Sequence, residues 1–181
     1  MAELDTLASV VLDAVVRDTD GTAVTPAALT FLLHEYRATD RPDLGDGLGQ
    51  ALAVALDRYA TDVTVVERAG WLTLFVETLA IADDERLRAA VEDLLWQLRS
   101  AWSVTTQVDE GAISVDACLR AAFAINPEEL IPAAVDELER IVGGAYRPGE
   151  GVAHTLHARA PIRGALNAQV HSASEIGRAH V

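Results

Sequence analysis

Lysine is missing from this sequence. All 14 basic residues are Arg, set against 28 Asp and Glu, for a net charge of −14 and a pI near 4.6. An acidic chain of this kind repels phosphate backbones and anionic lipid surfaces, so neither nucleic acid nor membrane is an expected partner. Two readings of the missing Lys stay open: a GC-rich genome that avoids Lys codons, or a salt-loving host in which acidic surfaces are screened. Cysteine is nearly absent too. Cys118 alone excludes an intrachain disulfide framework, a CxxC motif and a multi-cysteine zinc site. Aromatic residues make up only 5%. No apolar run reaches the roughly 18 residues of a membrane-spanning helix. MAELDTLASVV lacks the basic start of a secretory signal, which makes a cytoplasmic location the expectation.

What is present is apolar residues, half of the 181 positions, and their spacing is helical nearly throughout. Leu4, Leu7, Val11 and Val15 mark one face of a first helix that Asp18–Gly21 ends. Thr25-Pro26 opens a second as N-cap and first helical residue. A third runs from about Leu44 to Tyr59, a fourth from about Val65 to Ile81, and a fifth from Asp83 or Asp84 to about Trp102. A polar loop is expected over 105–111, after which Ser114 caps a sixth helix through Ile125. A seventh ends at Val142, with Gly143-Gly144 as the stop. Pro132 suits a first turn, which leaves Asn126–Leu130 open as a separate turn.

The helices repeat. Tyr36, Leu79 and Phe123 correspond at steps of 43 and 44, as do Leu44, Leu87 and Ile131. Leu48, Val91, Val135 and Ala51, Leu94, Leu138 follow the same two steps. Each unit is a helix, a tight polar turn and a second helix, and one such hairpin cannot bury its apolar face alone. The expected fold class is therefore all-α, a helical-hairpin repeat. Long links over 103–113 and 143–163 favour a partial (α/α) toroid, with a HEAT-like α-solenoid as the alternative.

The stretches FLLHEYRATDRPDLGDGLGQAL, FVETLAIADDERLRAAVEDLL and AYRPGEGVAHTLHARAPIRGALNAQVHSAS resemble a bacterial and archaeal family. Its members join an N-terminal thioredoxin-like domain to a C-terminal (α/α) toroid related to six-hairpin glycosidases and N-acylglucosamine 2-epimerases. The resemblance implies a Gly-containing turn, a short strand-like pair and an Ala/Leu-rich helix over Ala145–Ser174. It implies a fragment of a toroid protein that is carbohydrate-active or sugar-binding, with a carbohydrate ligand. The missing partners would be the rest of the toroid and an N-terminal thioredoxin-like domain. The alternative is a non-catalytic helical scaffold for protein–protein interaction.

The last seven residues, EIGRAHV, back-translate as GAG ATC GGA AGA GCA CAC GTC. From its second base this resembles a widely used sequencing-library adapter. Residues 1–174 are thus expected to form a single, C-terminally incomplete domain, and 175–181 to be read-through.

Polar groups concentrate in the last long link. Arg147, His154, Arg163, Gln169 and His171 would hydrogen-bond sugar hydroxyls while Trp71 or Tyr146 stacks on the ring. Trp102 is a further aromatic candidate. Glu150 and Asp116 are a candidate acid/base pair. His154 and His157, three apart in an extended segment, face opposite ways, so no metal site and no cofactor are expected. Cys118, among Val115, Leu119 and Ala122, reads as a buried, inert thiol.

Overall fold

A computed structural model describes residues 2–18, 22–59, 63–102, 107–147 and 151–152. These residues form seven helices: α1 (Ala2–Val16), α2 (Pro26–Thr39), α3 (Pro42–Arg58), α4 (Val65–Leu79), α5 (Glu85–Trp102), α6 (Val108–Ala124) and α7 (Pro127–Ala145). Two short strands follow, β1 (Tyr146–Arg147) and β2 (Gly151–Val152), which pair antiparallel. The described residues are all-helical apart from this ladder, and no described helix is long and apolar enough to cross a membrane.

Local chemistry sets the helix starts. Thr25 accepts a hydrogen bond from the Ala28 amide, with Pro26 at the first helical position. Thr64 and Glu67 form a reciprocal capping box at the start of α4. Asp84 accepts from the Arg86 and Leu87 amides before α5. The helix pairs α2/α3, α4/α5 and α6/α7 are each joined by a turn of a few residues.

The chain divides into two compact units, Met1–Leu98 and Arg99–Val181, with the division inside α5. The single domain expected over 1–174 runs across it. In the first unit α1 packs on α2 and α3, and α2 packs on α3 and α4. The Tyr59 ring meets Phe75 of α4 edge-on at 5.7 Å. Arg86 at the start of α5 bonds Asp57 at the end of α3 over 2.9 Å. In the second unit α6 and α7 pack along their lengths.

Burial recurs with a constant step. The buried positions of α3 are Leu44, Gly47, Leu48, Ala51, Leu52 and Ala55. Adding 43 to each number gives Leu87, Ala90, Val91, Leu94, Leu95 and Leu98, all buried in α5. Adding 43 again reaches Leu130, Ala134, Glu137 and Ile141, buried in α7, while the other two positions fall on half-buried Ala133 and exposed Leu138. Leu29, Leu32 and Leu33 of α2 map likewise onto Leu72, Phe75 and Val76 of α4. The hairpin turns fall in step at Asp40, Asp83 and Asn126.

This corrects the sequence alignment of the third hairpin by one residue. Val135, matched to a core position by the 44-residue step, is 43% exposed, and Phe123 is 76% exposed, whereas Leu138, 41% exposed, falls on a core position by either step. Ile131, Val135 and Leu138 form the more apolar stripe, which drew the alignment. The face turned to the core instead carries Ala134 and Glu137, and Arg140 neutralises Glu137 with two hydrogen bonds.

Four boundaries also differ. The third helix begins at Pro42, not Leu44. The sixth begins at Val108, not after Ser114, because Asp109 and Glu110 favour a helix N-terminus. Ser114 is buried and accepts from the Trp102 indole at 2.9 Å, so it serves as an interior partner and not a cap. The seventh starts at Pro127, holds Pro132 inside and runs through both glycines to Ala145. On α1 the inward residues are Ala8 and Val15, while Leu4 and Leu7 are exposed. Arg41 fixes that rotation by donating to the Asp5 carbonyl and the Ser9 hydroxyl.

Candidate functional site

In the first unit a concave feature lies where the α2–α3 turn meets the end of α4. It is a groove of about 580 Å³. Tyr36 forms one wall. Its ring lies against α3 because position 45 is glycine: a Cβ there would sit 3.0 Å from Tyr36 Cε2. Gly49, one turn on, has nothing within 4 Å of where its Cβ would be, so it leaves the groove open. The sequence suggests that Gly47 and Gly49 both permit close helix approach. Only Gly47 does so, against Leu12 and Val16 of α1.

Leu48 and Leu52 supply the apolar floor and Ile81 an exposed apolar rim. Asp40 and Asp46 bring two exposed carboxylates. Asp40 closes α2 in a left-handed conformation, φ 52°, with its amide bonded to the Tyr36 carbonyl at 2.7 Å. An apolar floor beside two carboxylates suits a ligand with an aliphatic and a cationic part. None of these groups is a nucleophile next to a base.

A second recess, about 270 Å³, is lined by Trp71 together with Thr22, Arg58 and Glu67. Trp71 is only 5% exposed and tilts against Phe75 at 5.7 Å, so most of the indole is core. The Glu67 carboxylate accepts from the Thr64 amide and hydroxyl, each at 2.9 Å. The amide bond, first, and then the hydroxyl hold the Glu67 carboxyl below its ordinary pKa.

In the second unit the buried polar groups satisfy one another. Arg140 grips Glu137 at 2.6 and 2.7 Å and donates to the Trp102 carbonyl at 3.0 Å. Trp102, an aromatic candidate from the sequence, is thus engaged through both its carbonyl and its indole. Burial pushes the Cys118 thiol up to about 12, against a weaker opposing pull from Arg99, which makes it unreactive at neutral pH. Asp116 is exposed and paired with Arg120 in the next turn of α6.

Of the residues singled out in the sequence, Trp71 lines the smaller recess. The Tyr146 and Arg147 backbones lie in β1, paired with Val152 and Gly151. His154, Arg163, Gln169 and His171, like Glu150 and His157, fall outside the described residues. The Tyr36 groove was missed. Its available signal was the Gly45–Gly49 pair, one helical turn apart and four residues past the Tyr36–Arg41 turn. Among the described residues, no group of three or more His, Cys, Asp or Glu is arranged to hold a metal ion.

Compared with protein-family models, curated proteins and solved structures, the chain matches none.

Proposed function

We propose that the chain is a non-catalytic helical-hairpin scaffold whose Tyr36 groove docks a partner protein. The observation that carries this reading is how the 43-residue units differ. Their buried positions recur, while one surface line changes character from unit to unit. Gly45, Arg88 and Ile131 occupy equivalent places on it, as do Gly49, Glu92 and Val135. Repeat scaffolds keep the core and vary the outside, because stacking needs the former and recognition uses the latter. On α3 the small residues open a groove edged by carboxylates. A partner segment carrying Arg or Lys next to an aliphatic side chain has the matching chemistry.

The test is selection of peptides from a random displayed library on the immobilised chain. The expected winners pair a cationic with an aliphatic residue and lose at least about tenfold in affinity toward Gly49→Phe, with helical content unchanged. Winners indifferent to both Gly49→Phe and Asp46→Asn would overturn the reading.

A second reading is the carbohydrate-binding (α/α) toroid that the resemblance implies. The observation favouring it is the recess that places Trp71 beside Arg58 and Glu67. Calorimetric titration with a panel of mono- and disaccharides tests it. Binding that Arg58→Ala weakens supports it, and binding unchanged by that substitution removes the recess as the sugar site.

A further inference from the structure

We infer that the group the Tyr36 groove takes from its partner is the guanidinium of an arginine, seated on Asp40. The inference deepens the docking reading of that groove and rests on it. What carries it lies in the same unit, where the second hairpin makes the equivalent interaction within its own chain. Asp83 stands 43 residues beyond Asp40, and Arg88 stands 43 residues beyond Gly45. Arg88 donates from Nε to one Asp83 carboxylate oxygen at 2.8 Å, with Nη2 2.6 Å from the same oxygen.

The three hairpins treat this pair of positions differently. The second has both carboxylate and arginine, Asp83 and Arg88. The third has neither, with Asn126 and Ile131 in their places. The first keeps the carboxylate, Asp40, and has Gly45 instead of the arginine. Among the described residues the Asp40 carboxylate has no hydrogen-bond or ion-pair partner. It lines the groove as the acceptor that Arg88 fills one hairpin further on.

Space and wall suit the same occupant. Glycine at position 45 omits the side chain that reaches the equivalent carboxylate, and the space beside Gly49 is open. Tyr36 stands where the second hairpin has Leu79, so the groove has an aromatic wall. A planar guanidinium stacks on such a ring and forks onto a carboxylate, whereas an ammonium offers a single point of charge. Leu48 and Leu52 of the floor meet the aliphatic stem and its neighbour.

Two displayed peptide libraries test the assignment, random except for a central Arg in one and a central Lys in the other. Panned on the full chain, the Arg library should enrich at least about fivefold more than the Lys library. Asp40→Asn should remove that advantage. Asparagine tolerates the left-handed cap, so this variant keeps the turn. Asp83→Asn should leave the advantage unchanged. Equal enrichment of the two libraries, lost in both on Gly49→Phe, would overturn the arginine assignment while the docking reading stands. An Arg preference that survives Asp40→Asn would overturn Asp40 as the seat. Enrichment of neither library would overturn both readings.

Discussion

The Tyr59 hydroxyl donates to the Asp93 carboxylate across 3.0 Å, and Gln97 donates to the same carboxylate oxygen at 2.9 Å. This contact fastens the end of the first hairpin to the middle of the second hairpin's outgoing helix. Burial, and then the hydrogen bond and charge of Asp93, raise the Tyr59 pKa above its ordinary value. The neutral phenol is therefore favoured by folding. Its contribution is fully present below about pH 10, the unfolded value, and is lost as pH rises through the folded value. Tyr59→Phe should cost about 1 kcal/mol at pH 7. It should also flatten the decline in stability above pH 10, read from urea midpoints across pH 8–11.

Asp40 is the one described non-glycine residue at positive φ. Asp40→Gly removes the steric cost of the left-handed cap and should stabilise by about 0.5–1 kcal/mol. Asp83, at the equivalent turn, lacks that conformation, so Asp83→Gly should bring no such gain. Equal shifts in the two urea midpoints would contradict this assignment.

The Glu137–Arg140 pair makes a different kind of prediction. Glu137 is 7% exposed and depends on Arg140 for neutralisation. Arg140→Ala leaves that carboxylate buried and unpaired. The cost should be about 2–4 kcal/mol, given that Arg140 reaches partly into solvent. Adding Glu137→Leu should restore much of the loss, as measured by thermal unfolding at pH 7.

Much of the helical pattern was legible because one face of each inner helix is apolar at regular spacing. Leu29, Leu32 and Leu33, or Leu87, Val91 and Leu94, could hardly face water. The rotation of α1 and α7 was not legible. In both helices several larger apolar residues, Leu4 and Leu7 or Val135 and Leu138, face outward, while Ala8 and Ala134 are buried. Hydropathy ranks Leu4 above Ala8, yet Ala8 is buried and Leu4 is 49% exposed, with Arg41 bonded to the neighbouring Ser9. The Tyr36 groove escaped for a related reason, since its defining feature is the side chain that Gly49 lacks. The start of α6 was hidden because Gln107 offers no side-chain cap hydrogen bond.

The central claim is that the hairpins are equivalent units with a step of 43 residues, and it is tested most directly by removing one. Deleting residues 83–125 joins Ala82 to Asn126, two points that the burial pattern places in step. The account predicts a chain with unchanged helical signal per residue at 222 nm and a single cooperative urea transition. Deleting 83–124 instead, one residue out of step, should broaden or abolish that transition by turning the following helix about 100° off its core face. Loss of cooperative folding in the in-step deletion, or equal behaviour of the two, would contradict the 43-residue unit.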